Sequence, residues 1–166
     1  QRREVLDGAD ISGTVHSMVN ETIDSTVDRF TVSENPAEWN LDGIRNYFFG
    51  LLCGADDFKY DEEALKKLSR DDIKKVLHER ADALYASKEK VFGDQMREIE
   101  RVVLLRAVDT NWMNHIDAMD DLRGSIGLQA YAQRSPINEY RLTGADMFDY
   151  MVAQIREDTM RMILSV

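Results

Sequence analysis

Apolar residues recur every three or four positions over most of the chain, the spacing that gathers side chains on one face of an α-helix. Val15, Val19, Ile23, Val27 and Phe30 predict a first helix that Asp10 or Ser12 can cap and that ends near Phe30. Residues 31–40 read as a loop, because Pro36 disfavours helix at Asn35. Asn40 then offers a cap for a short buried helix over residues 41–52, stopped by Gly54 and followed by an acidic turn over 56–61. Ser69 with Asp71 and Asp72 marks the start of the next helix. It is predicted to reach about Lys90 and to turn Ile73, Val76, Leu77, Arg80, Leu84 and Val91 towards neighbours. Gly93 is a joint.

Beyond Gly93 the periodicity is longest. Ile99, Val102, Leu105, Val108, Trp112, Ile116, Met119 and Leu122 predict one long helix that gives way at residues 122–127, Leu-Arg-Gly-Ser-Ile-Gly. Phe148, Val152, Ile155, Thr159, Met162 and Val166 predict another. Two helices joined by a short connection pack antiparallel, so the connecting residues 128–136 form an exposed tip that carries Tyr131. Trp112 and the methionines at 113, 119, 147, 151, 160 and 162 are expected to fill gaps between the helices.

Composition narrows the class to a mainly helical globular chain: 43% of residues are apolar, 31% are charged and only 2 are proline. A net charge of -10 argues against nucleic acid as a partner, since phosphate binding needs clustered Lys and Arg. The tip is locally different, for Arg123, Arg134, Glu139 and Arg141 are the only charges between Leu122 and Arg141. The single cysteine, Cys53, excludes an intrachain disulfide and is expected to be buried among Phe48, Phe49, Leu51 and Leu52. The longest uncharged run, residues 46–55, is too short to span a bilayer. The chain opens within a helical pattern and reads as an excised piece of a longer protein.

The stretch Trp112, His115, Met119-Asp120, Leu122-Arg123, Ile126, Leu128, Tyr131-Ala132-Gln133, Pro136 and Glu139-Tyr140 closely resembles the two-helix finger of the SecA family, the ATPase motors of bacterial preprotein translocation. Residues 1–10 resemble the end of that family's long scaffold helix. The resemblance implies an all-α fold: residues 1–31 and 93–166 as helical scaffold with a long antiparallel two-helix finger, and residues 32–92 as an inserted small helical wing. It implies that Tyr131, Gln133 and Arg134 touch an unfolded preprotein at the mouth of the SecYEG channel, and that Arg123 and Arg141 meet the channel or other domains of the same motor. It also implies a cytoplasmic protein, peripheral at the inner face of the membrane. Gln129, Ser135 and the run Arg141-Leu-Thr-Gly144 depart from the family's usual residues and remove charge around the tip.

The residues themselves supply no motor chemistry. No Gly-x-x-x-x-Gly-Lys-Ser/Thr loop is present, so ATP and magnesium belong to the parent motor and no cofactor is expected in this piece. His115 with Asp117, Asp120 and Asp121 lacks the paired Glu-x-x-His repeats of a carboxylate-bridged metal centre, which favours a structural histidine. Ser-His-Asp catalysis has no local motif. Tyr131 offers a broad ring and one hydroxyl, suited to weak contact with many peptide sequences; the alternative is a tyrosine that folds back to cap the hairpin of a purely structural module.

Overall fold

The computed structural model describes residues 11–129 and 136–166, with the backbone alone for 126–129 and 136–142. Six helices and no strand occur among the described residues, in agreement with the all-α expectation. They are α1 (Ser12–Phe30), α2 (Leu41–Tyr47), α3 (Glu62–Lys67), α4 (Arg70–Phe92), α5 (Gln95–Gln129) and α6 (Pro136–Ser165), with a 3-10 turn at Pro36–Glu38.

α1 lies between α4 and α6 and buries Val15, Met18, Val19, Thr22, Ile23, Thr26 and Val27. The face is wider than the predicted single line because two neighbours cover it. Thr22 reaches this apolar setting without leaving an orphan hydroxyl, since its Oγ1 donates to the Met18 carbonyl at 2.8 Å. The predicted cap is corrected: Ser12 is already helical, Asp10 lies outside the described residues, and the N-cap is Ile11, whose side chain makes no capping bond. Ile11 is instead buried in the core, so packing holds this helix end.

α4 runs antiparallel to α1, and a ladder of polar contacts marks the register. Lys74 meets Asp28 at 2.8 Å, His78 Nε2 meets Asp24 at 2.7 Å and its Nδ1 lies 3.0 Å from Asn20 Oδ1. The Arg70 guanidinium donates to the carbonyls of Thr31 and Ser33 at 2.7 and 2.9 Å. His78, isolated in sequence, is thus a tie between helices. At the start of α4 the expected cap is present as a reciprocal pair: Ser69 Oγ accepts from the Asp72 N–H at 3.1 Å, and Asp72 Oδ2 accepts from the Ser69 N–H at 3.0 Å. Ile73, Leu77, Ala81 and Tyr85 are buried, while Val91, expected to face a neighbour, is exposed.

The short helix after Asn40 stops at Tyr47 rather than Leu52. Residues 48–53 fold into turns around the Phe48 carbonyl, which accepts from the N–H groups of Leu51, Leu52 and Cys53 at 3.0 Å. Cys53 is buried, as expected, and burial pushes its thiol up to about 11. α3 follows the acidic turn and was not predicted. It is six residues long, buries none of them, and is started by Asp61 accepting from the Ala64 N–H at 2.8 Å.

Candidate interaction site

α5 and α6 pack antiparallel as a hairpin, Asn111 lying opposite Asp158 and Met119 opposite Gly144. The pair is close near its far end: a Cβ on Gly144 would sit 3.2 Å from the Met119 methyl carbon, so that side chain would have to yield by a few tenths of an ångström. At the near end the hairpin belongs to the core, with Met96, Val103, Leu104 and Ala107 of α5 and Met151, Ile155, Met160 and Ile163 of α6 buried. From Trp112 outward on α5, and back to Tyr150 on α6, the described side chains are exposed or half-buried. The hairpin therefore projects from the bundle.

α5 runs past Gly124 and Gly127 to Gln129, correcting the expected break at 122–127. A helical glycine costs about 1 kcal/mol relative to alanine, which one turn within a long helix tolerates. The predicted apolar line on α5 is also corrected. The buried face is Met96, Glu100, Val103, Leu104, Ala107 and Asn111, whereas Val102, Trp112 and Ile116 are 55%, 47% and 45% exposed. The predicted line runs along the edge of the buried face: Ile99, Leu105 and Val108 are half-buried against the core, and the residues beyond them are uncovered. Met113 is likewise exposed rather than packed, while Met151 and Met160 are core residues as expected.

Buried Asn111 and half-buried Asp158 fix the hairpin register. Asn111 Nδ2 donates to the Ala107 carbonyl and, across the hairpin, to Asp158 Oδ2, each at 2.8 Å; Gln154 Nε2 donates to Asp158 Oδ1 at 2.9 Å. A carboxylate with both oxygens engaged is costly to displace, so this bridge sets which turn of α5 faces which turn of α6. Beside it a groove of about 630 Å³ is lined by Asn114, His115, Asp146, Met147, Tyr150 and Gln154 among others, and by no Lys or Arg. It offers no counter-charge to a phosphate chain.

His115 is half-buried between two rings, 5.7 Å from Trp112 and 5.9 Å from Phe148, centroid to centroid. Among the described residues no group of three His, Cys, Asp or Glu side chains could hold a metal ion, and Asp117, Asp120 and Asp121 do not gather around His115. Arg123 is exposed on the outer hairpin and lies 3.8 Å from Asp120. Tyr131, Gln133 and Arg134 lie outside the described residues, as does the side chain of Arg141, whose backbone is part of α6. No helix among the described residues is long and apolar enough to cross a membrane.

A projecting helical hairpin, register-locked at its base and carried by a small helical bundle, defines an all-helical scaffold module. The chain belongs to the SecA wing and scaffold family, whose model matches residues 1–166. It is 39% identical over 166 residues to the protein translocase subunit SecA of Caldicellulosiruptor saccharolyticus, covering 99% of this chain and 19% of that protein. The protein translocase subunit SecA of Syntrophomonas wolfei is 38% identical over 168 residues, covering 100% of this chain and 20% of its own. The protein translocase subunit SecA 1 of Alkaliphilus metalliredigens is 34% identical over 168 residues. The chain spans about a fifth of the length of these relatives.

Proposed function

We propose that this chain is the part of a preprotein-translocating ATPase that receives the motor's movement and carries it to the translocating polypeptide. The observation that supports this most directly is the hairpin: it leaves the bundle with uncovered apolar side chains while the Asn111–Asp158–Gln154 bridge keeps its two helices from sliding. Residues 1–31 and 93–166 are the scaffold and finger on this reading, and residues 32–92 the wing, although α4 shares a core with α1. The finger tip, with Tyr131, Gln133 and Arg134, touches the unfolded preprotein at the cytoplasmic mouth of the SecYEG channel. Arg123 and Arg141 face the channel or neighbouring domains. ATP and magnesium act in the other domains of the parent protein, which works as a peripheral protein at the inner face of the cell membrane.

The test lies at Tyr131. In the full-length motor, Tyr131→Ala is expected to cut preprotein transport into channel-bearing vesicles, because an aromatic ring contributes on the order of 150 Å² of contact. Thermal unfolding is expected to change by less than about 1 kcal/mol, the scale of a surface substitution. Tyr131→Phe retains most transport if the ring face makes the contact. Transport that survives Tyr131→Ala, or falls only with a matching loss of stability, makes Tyr131 a structural cap and the chain a positioning module.

A further inference from the structure

The α4–α5 corner joins three helices through a polar cluster that the finger chemistry does not use. Gly93 ends α4 with φ +55°, a conformation that glycine adopts freely, and only Asp94 separates it from the start of α5. Across this turn the Tyr85 hydroxyl of α4 donates to Glu100 Oε2 of α5. Both side chains are at most 2% exposed. Arg97 then spans the corner, its Nε 2.9 Å from Glu100 Oε1 and its Nη2 3.4 Å from Glu89 Oε2. From α1, the His16 ring lies on Tyr85 at 3.9 Å between centroids, and its Nε2 is 3.8 Å from Glu89 Oε1.

A buried carboxylate is a poor way to gain stability, since apolar residues of the same volume do as well or better. What a directional cluster supplies is orientation: five groups from three helices meet through one hydrogen bond, ion pairs and a ring contact at one set of helix angles. α6 carries most of the hairpin's packing on the α1–α4 pair, whereas α5 touches that pair much less, so the cluster is the polar tie that fixes α5 against it. We propose that Tyr85, Glu89, Arg97, Glu100 and His16 form a corner brace that registers the angle of the projecting hairpin to the α1–α4 layer, so that a displacement of one is delivered to the other. The idea rests on the scaffold role proposed above, and it adds the residues through which movement passes.

The brace is tested on the 166-residue chain by double electron–electron resonance between spin labels at Lys75→Cys on α4 and Asp121→Cys on the hairpin, both exposed positions. The buried Cys53 thiol leaves the introduced cysteines to react selectively. The unaltered corner is expected to give one narrow distance distribution, and Tyr85→Phe to widen it about twofold at unchanged helical circular dichroism. Glu89→Gln, at a half-exposed site that folds regardless, is expected to widen it less. Ser69→Ala, which weakens the cap at the far end of α4, is the control and should leave the width alone. The brace is overturned if the corner variants lower the melting temperature without widening the distribution, if nothing changes, or if Ser69→Ala widens it equally. No transport enters this measurement, so a failure of the Tyr131 contact leaves it standing.

Discussion

Asp57 shows how one side chain holds the turns before α3 against α4. Arg80 donates to its Oδ1 at 2.8 Å and the Gly54 N–H to its Oδ2 at 2.6 Å. The Arg80 hydrogen bond first, and then the Gly54 backbone, hold the Asp57 carboxyl below its ordinary value. A carboxyl whose folded pKa is lower than its unfolded value of about 3.9 contributes stability that is fully present above that value. The contribution is lost as pH falls through the folded pKa. Urea unfolding between about pH 5 and pH 2 is therefore expected to lose a stability increment in the native chain that Asp57→Asn never has, giving the variant a flatter acid limb. Parallel acid limbs would show that Arg80 holds nothing through this charge.

At the scale of the element, α5 is where sequence and structure part company. Periodicity establishes that a helix has an apolar face, but it does not say which of two faces the rest of the molecule covers. The buried face of α5 carries Glu100 and Asn111, polar residues that break the pattern, while the predicted line runs beside it through half-buried Ile99, Leu105 and Val108 to exposed Val102, Trp112 and Ile116. Pattern reading favours the cleaner line and misses the partners that satisfy the polar ones, Tyr85 and Asp158, which are distant in sequence. The same reasoning fails for α3, which has no buried residue to be periodic, and succeeds for α4, whose Ser69 cap is a local signal. Leu104→Ala is accordingly expected to cost about 2–5 kcal/mol in equilibrium unfolding of this chain. Trp112→Ala should cost less than about 1 kcal/mol despite removing the larger side chain. A reversed order would put the core on the other face of α5.

For the whole molecule, the all-α class and the hairpin are legible from helical spacing and a short connection, whereas the tip residues were legible only through family resemblance. A tyrosine in a loop has no pattern to announce what it touches. The absence of a phosphate-binding loop is equally plain in the sequence, and the groove beside Asn111 is lined by Asp146 and Asp158 and by no Lys or Arg among the described residues. Calorimetric titration of this chain with ATP and magnesium is expected to give no binding heat; micromolar affinity would overturn the proposed division of labour between this module and the rest of the parent protein. The bridge from Asn111 to Asp158 has a mechanical meaning for that division. Sliding α5 past α6 by one helical turn, about 5.4 Å, would carry Asn111 away from the only carboxylate it bonds among the described residues, leaving it the Ala107 carbonyl and leaving Asp158 only Gln154. Sliding of the two helices past one another is thereby opposed, so a load along the described length of the hairpin is shared by both helices rather than carried by one.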